Sequence, residues 1–321
     1  MDHLVLCTIG PNDWVSEIGK QTTETIFSVR NLKKDERVVS LVHPSKYPDK
    51  IRSLIFSLYL GEKVILNVDR VDRNLGEILI ALDLMDKKRG IIITRDEGVK
   101  YQLDSVIGDN PVSNYSELDS NPALVRERIF GMEKDPVKES GPLVIIDQAF
   151  SVKGVGCVAL GFVRSGIITK HQDMVVQPNG SPTQIRSIQV QDQDQEEAPS
   201  GSRVGLALKN VDPEILPRGS CLVPSPDGVE IKDRVRGEFS IPGIFDMGIE
   251  KGMKFHLQSS LQMVPCEVTD VEKAELSNGY LTREIELETE SPMWFGQDHK
   301  LGLCYLDSKS FRYFASGKIL L

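Results

Sequence analysis

Cysteine is scarce and has no pairing pattern. Cys7, Cys157, Cys221, Cys266 and Cys304 are the only five, and no two make a CxxC. An odd count without that spacing argues against a disulfide framework and against a zinc ribbon. Most lie in apolar runs, as Cys157 does in Gly156-Cys157-Val158-Ala159-Leu160, and are expected as buried free thiols in a reducing compartment. Histidine is as sparse. His3, His43, His171, His256 and His299 form no HxH, HExxH or HxxxH spacing, so no metal site is expected. A GxSxG or Cys-His nucleophile signature is missing, and no catalytic residue is assigned. No apolar run approaches the roughly 20 residues of a membrane span. The start, Met1-Asp2-His3-Leu4-Val5-Leu6-Cys7, lacks the basic stretch and long apolar run of a signal peptide. A cytoplasmic protein without a membrane partner is the expectation. Positive charge is outnumbered: 38 Lys and Arg against 47 Asp and Glu give a formal net charge of −9. Bulk charge therefore excludes itself as a route to nucleic acid, DNA is not an expected partner, and RNA would need a local basic groove.

What is present is ordinary for a globular chain of 321 residues, enough for two or three domains of roughly 100–200 residues each. Over residues 1–110 strand-like and helix-like patterns alternate. Leu4–Ile9 is a short apolar run stopped by Gly10-Pro11. Asn12 is placed to cap a short helix over Asp13–Gly19, with Gly19 ending it and Lys20 near its negative pole. Thr25–Leu32 and Arg37–His43 predict two strands around the polar turn Lys33-Lys34-Asp35-Glu36. Ile51, Leu54, Ile55, Leu58 and Tyr59 have helical spacing, as do Leu75, Ile78, Leu79, Leu82 and Met85. Lys63–Val68 and Gly90–Thr94 read as buried strands. The order β-α-β-β-α-β-α-β predicts a mostly parallel sheet with helices on both faces and an antiparallel edge. Residues 111–141 are turn-rich and read as a linker holding one helix, Ala123–Phe130, capped by Asn121 with Pro122 at its first position. From Leu143 onward short β-branched runs recur between Gly, Pro, Asn and Asp without helices, which predicts antiparallel barrels or sandwiches. The cluster Pro224-Ser225-Pro226-Asp227-Gly228 divides them, giving expected domains 1–137, 138–226 and 227–321.

The most specific stretch is Ile146–Leu222. Asp147, Phe150, Gly154, Gly156, Gly161, Gly166, Asp173, Arg186-Ser187-Ile188-Gln189, Arg203-Val204-Gly205-Leu206 and Arg218-Gly219 occur there in order. Gly154-Val155-Gly156 precedes a strand, so it does not fit a dinucleotide fingerprint, which opens a helix. This ordered set resembles domain 2 of elongation factor Tu relatives, and the selenocysteine-specific branch most of all. The resemblance implies a GTPase-like α/β domain followed by two antiparallel β-barrels. It implies a pocket for the aminoacyl end of tRNA at Asp147, Gln148 and Arg203. Gln148 stands where the branch carries a basic residue, which removes one cation. The other reading of Arg203 is an ion pair inside the barrel. The branch also has a further domain not expected here, which counts against delivery of selenocysteine.

Val38–Glu97 can be laid over the GTPase core of the same family. His43 then takes the Asp place and Lys46 the Gly place of the magnesium-binding DxxG motif, and Tyr47 the place of the water-positioning His. Thr94-Arg95-Asp96-Glu97 replaces the base-reading NKxD. Against a phosphate loop, GxxxxGK[ST], Gly19-Lys20 is present, but Trp14 replaces the first Gly and Gln21 the hydroxyl, with Thr22 displaced by one. Gly19, Lys20 and Thr22 are the residues for any nucleotide. The GKxTTxT stretch at Gly19–Thr25 and NLKKD at Asn31–Asp35 resemble motif-less elongation-factor paralogues of methanogenic archaea. The expectation is a protein that has lost GTP hydrolysis, holds no GTP or Mg²⁺, and binds tRNA, the ribosome or a protein translation partner. Two alternatives stay open: an atypical GTP-binding selenocysteine-specific factor with GTPase activity, and a structural partner that uses the first domain as a surface.

Overall fold

Apolar runs of five to eight residues are too short for stable helices and are buried on both faces, which is the signature of parallel strands. They build the first sheet of the computed structural model, which describes residues 2–11, 18–136, 140–245, 248–272, 275–277, 279–296, 300–308 and 311–320. Its strands are β1 (Asp2–Ile9), β2 (Lys20–Glu24), β3 (Ser28–Lys34), β4 (Arg37–His43), β5 (Lys63–Val68), β6 (Gly90–Thr94) and β7 (Ser116–Glu117). They lie in the order β2-β3-β4-β1-β5-β6-β7. β4, β1, β5, β6 and β7 run parallel, and the β2-β3 hairpin adds the antiparallel edge. The expected turn between β3 and β4 is there, with Asp35 at φ +52°.

The helices are α1 (Ile51–Leu60), α2 (Arg73–Leu84), α3 (Glu97–Ile107) and α4 (Pro122–Phe130). On one face of the sheet Val125, Ile129 and Phe130 of α4 pack with Leu4, Leu6, Leu32, Leu41, Ile65 and Ile93. On the other face Gly61, just past α1, comes so close to β1 that a Cβ there would sit 2.4 Å from the Cys7 amide nitrogen. Asn121 caps α4 as expected, accepting from the Ala123 and Leu124 amides, and Pro122 is its first residue.

Three expectations change. The segment 111–141 is not simply a linker: β7 pairs with β6, and α4 supplies core residues, because Val125, Ile129 and Phe130 give it one apolar face. α3 was not predicted. Only Val99 and Leu103 of it are buried, while Tyr101 and Val106 are exposed, so its apolar period is too weak to read. The strand predicted over Thr25–Leu32 forms only from Ser28, as β3; Thr25–Phe27 is the turn that joins it to β2, an edge strand that was not predicted. The short helix over Asp13–Gly19, with its Asn12 cap, falls largely on residues 12–17, which lie outside the described residues; Ile18 is helical and Gly19 follows it.

The rest of the chain is all β. The first barrel uses β8 (Leu143–Val152), β9 (Gly156–Ser165), β10 (Ile167–Thr169), β11 (Asp173–Gln177), β12 (Ser181–Val190), β13 (Gln193–Gln195), β14 (Glu197–Pro199), β15 (Arg203–Lys209) and β16 (Cys221–Val223). β11-β16-β8-β9-β15-β12 closes on itself through β12 and β11, so these six strands have no free edge. The second uses β17 (Glu230–Pro242), β18 (Lys254–Ser259), β19 (Gln262–Val271), β20 (Glu275–Ser277), β21 (Tyr280–Phe295), β22 (Lys300–Cys304) and β23 (Tyr313–Ile319). It closes as β17-β23-β22-β18-β19-β21 through the β17–β21 pairing. The fold class is therefore the expected one, a mostly parallel α/β domain followed by two closed six-stranded antiparallel barrels.

The chain divides into two compact units, Met1–Asp135 with Asp307–Phe314, and Pro136–Leu306 with Ala315–Leu321. The inclusion of Asp307–Phe314 in the first unit has no signal in the pattern of the last strands. All five cysteines are buried and free. No helix among the described residues is long and apolar enough to cross a membrane.

Candidate functional site

Ligands of open α/β sheets bind beyond the carboxyl ends of the strands. In the first unit those ends carry Gly10, His43, Asp69 and Thr94-Arg95-Asp96. Gly10 has φ +91°, and a Cβ there would lie 1.9 Å from the Asn67 carbonyl oxygen, so only glycine fits between β1 and β5. His43 Nδ1 donates to the Thr8 carbonyl at 3.0 Å, with Thr8 Oγ1 at 3.3 Å. Burial lowers its pKa, and the Thr8 bond opposes that only in part, so the imidazole is neutral at pH 7. Lys46 Nζ lies 3.5 Å from Glu24 Oε1. The Tyr47 hydroxyl donates to the Asn74 carbonyl at 2.9 Å. Burial and the nearby Glu77 carboxylate raise its pKa. Asp96 caps α3, accepting from Val99 N at 2.9 Å and from Arg95 Nε at 3.0 Å. Those bonds lower its pKa. A neutral imidazole bonded to a carbonyl and an ammonium bonded to a carboxylate are not oxygen ligands for Mg²⁺.

Gly19, Lys20 and Thr22 are not gathered at these ends. Gly19 leads into β2, and Lys20 and Thr22 are exposed on that edge strand. Lys20 pairs with Asn31, and Thr22 Oγ1 donates to the Val29 carbonyl at 3.1 Å. A phosphate loop runs from a strand end into a helix. These three residues instead lead into an edge strand three places from β1 in the sheet order, beyond β3 and β4.

The barrel residues do converge. The β8–β9 register slips between Ile146 and Gln148, so Asp147 is the extra residue of a β-bulge. Val144 and Ile146 point into the core before the bulge and Ala149 points there after it, while Asp147 is re-aimed. Asp147 is 1% exposed and Arg203 7%. Arg203 Nη2 lies 3.0 Å from Asp147 Oδ2, and its guanidinium stacks 4.6 Å from the centroid of Phe162, its cross-strand partner. Burial pulls the Arg203 pKa down, and Asp147 opposes the shift. Arg218 Nε takes the other carboxylate oxygen, Oδ1, at 3.0 Å. Gly219, at φ +91°, holds Arg218 there: its amide donates to the Ile146 carbonyl at 2.9 Å, and Trp294 Nε1 donates to its carbonyl at 2.5 Å. Gln148 is half-buried beside Leu160.

The ion-pair reading of Arg203 thus describes its geometry. Sequence reasoning had Arg218 among the ordered elements but missed its role. Its nearness to Asp147 arises from a loop 71 residues away, which no spacing reveals. The side chain of Arg218 is 28% exposed, so it is the cation of this cluster that meets solvent. Among the described residues, no group of three or more His, Cys, Asp and Glu side chains is placed to hold a metal ion.

A mostly parallel α/β domain followed by two closed six-stranded antiparallel barrels matches the architecture of SelB and elongation factor Tu. No family model matches the chain. An uncharacterized protein of Methanocaldococcus jannaschii is 28% identical over 304 residues, 94% of each chain. The selenocysteine-specific elongation factor of the same organism is 26% identical over 256 residues, which cover 73% of this chain and 55% of that factor. The solved structure of translation elongation factor SelB from Methanococcus maripaludis, in complex with the GTP analogue GppNHp, covers 100% of this chain and 79% of that one. Its TM-score is 0.82 at 20% identity. The chain belongs, as a paralogue, to the family of elongation factor Tu and the selenocysteine-specific elongation factors. It spans a little over half the length of that selenocysteine-specific relative.

Proposed function

We propose that this translation-factor-like protein works without a nucleotide cycle, in the cytoplasm, as a binding protein for tRNA, with the ribosome or another factor as a further partner. One observation carries the reading. The side chains at the motif places of the sheet's carboxyl ends are already spent on the protein itself: His43 on Thr8, Lys46 on Glu24, Asp96 on the α3 amides. A phosphoryl-transfer site needs such positions to grip phosphate and Mg²⁺, since its catalysis is positioning and electrostatics. The residues present do not suit Mg²⁺ and a triphosphate, and no hydrolytic step is assigned to them. In the barrel, we assign the partly exposed Arg218 and the half-buried Gln148 to ligand contact, with Arg203 held on Asp147.

The alternative is atypical GTP binding. It is supported by likeness of fold to a factor solved with a GTP analogue. Filter binding of bulk tRNA, with and without GTP and Mg²⁺, separates the two. Affinity should be the same within about twofold, a difference of about 0.4 kcal/mol. A gain of about tenfold on adding GTP would favour the alternative. No binding under either condition would leave the structural-partner reading.

A further inference from the structure

An acidic chain that binds RNA must concentrate its cations somewhere. We infer that the corner of the first unit formed by the β2-β3 hairpin and α4 is an RNA-backbone docking surface, centred on Arg30, Lys33, Lys34 and Arg126 around Phe130. The inference rests on the RNA-binding reading above and locates that binding on a surface outside the barrel cluster.

Elsewhere in the chain arginine after arginine is matched with a carboxylate: Arg70 with Asp72, Arg95 with Asp96, Arg203 with Asp147, Arg236 with Glu284. At this corner the partners are neutral. Arg30 donates to the Gly19 carbonyl and to Gln21 Oε1, each at 3.1 Å. Arg126 donates to the Ile18 carbonyl at 2.8 Å and to the Lys33 carbonyl at 3.3 Å. Carbonyl dipoles fix these guanidinium groups in place without cancelling their charge. Phe130 then gathers two cations on one ring, with the Arg126 guanidinium 5.2 Å and the Lys34 ammonium 6.0 Å from its centroid. Bringing like charges together costs energy that a bound phosphate would recover.

The stretches Lys20–Arg37 and Arg126–Arg128 hold seven cations against four carboxylates, in a chain whose net charge is −9; one of the seven, Arg37, is paired with Asp2 at 3.3 Å. Of the carboxylates, Glu24 is engaged by Lys46 and Gln21, while Asp35 and Glu36 in the turn and Glu127 on α4 are exposed. Lys33 and Lys34 are exposed and project from opposite faces of the end of β3. Lys33 and Lys34 lie opposite Val38 and Arg37 at the amino end of β4, with most of that strand between them and His43, while Arg30, opposite Leu41, lies nearer to it. The lysine end of the corner is therefore distinct from the carboxyl ends of the parallel strands. Its partner is read by charge and spacing, which suits a phosphate backbone rather than a base sequence.

The test is bulk tRNA binding by the full chain across a salt series, for wild type, Lys33→Gln/Lys34→Gln and Lys34→Gln/Arg126→Gln. The first double variant breaks no hydrogen bond described here and guards against a folding defect in the second. Both should bind about 5–20-fold more weakly at low salt. The slope of log affinity against log salt should fall by about one per cation removed. Wild-type affinity and slope in both folded variants would overturn the inference while leaving RNA binding intact. No tRNA binding by wild type would remove the reading on which it rests. Weakened binding to an acidic peptide with tRNA binding unchanged would assign the corner to a protein partner and also overturn it.

Discussion

Asp147→Ala is expected to destabilise the second unit by about 3–5 kcal/mol, the cost of breaking a buried ion pair from one side. The carboxylate is almost fully buried and is shared by two guanidinium groups. Removing it leaves Arg203 charged at 7% exposure, with Phe162 stacked on it, and takes a carboxylate partner from Arg218. The loss should also be felt in the second barrel. Gly219 follows Arg218 and accepts from Trp294, and Gln262 brackets the Trp294 backbone on both sides. Trp294 is one of only two tryptophans and is fully buried, so its fluorescence reports the transition. Urea unfolding followed through it should show a lower midpoint. Asp147→Leu combined with Arg203→Met should recover part of the loss, because a well-packed apolar pair removes the stranded charge. A single-variant loss below about 1 kcal/mol would mean that the cluster is hydrated rather than buried.

Arg312→Ala should cost the first unit about 2–4 kcal/mol. Glu77 lies on the buried side of α2 and is 4% exposed. Both of its oxygens are taken by Arg312: Nη2 at 2.6 Å, Nε at 3.1 Å and the backbone amide at 2.8 Å. Arg312 Nη1 also donates to the Pro48 carbonyl at 2.8 Å, and the guanidinium lies 5.9 Å from the Tyr47 ring. One side chain therefore holds α2 and the segment after His43 together. Hydrogen exchange should quicken in both places in the variant, and Arg312→Lys should rescue little, since an ammonium cannot reproduce the fork. Unchanged exchange at Asn74–Ile78 would contradict this.

Much of the fold was legible because its signals are local. Lys63–Val68 and Gly90–Thr94 have the bounds the apolar runs predict, and Asn121-Pro122 announces α4 by its cap. α3 was hidden because Asp96, its cap, precedes a helix with only two buried residues. The roles of Glu77 and Arg312 were hidden for another reason: their partnership spans 235 positions, and no periodicity carries that. The candidate site divides in the same way. Asp147 and Arg203 stand out as charges in apolar strands, but the bulge that turns Asp147 inward, and the arrival of Arg218, depend on barrel closure. Gly19-Lys20 shows the limit of reading a dipeptide, since the same two residues that open a helix in a phosphate loop here lead into an edge strand.

The central claim is met most directly by calorimetric titration of the chain with GTP and with GDP in the presence of Mg²⁺. The account predicts no saturation up to about 1 mM of either nucleotide, that is, binding weaker than about 4 kcal/mol. Saturable micromolar binding of GTP or GDP would contradict it.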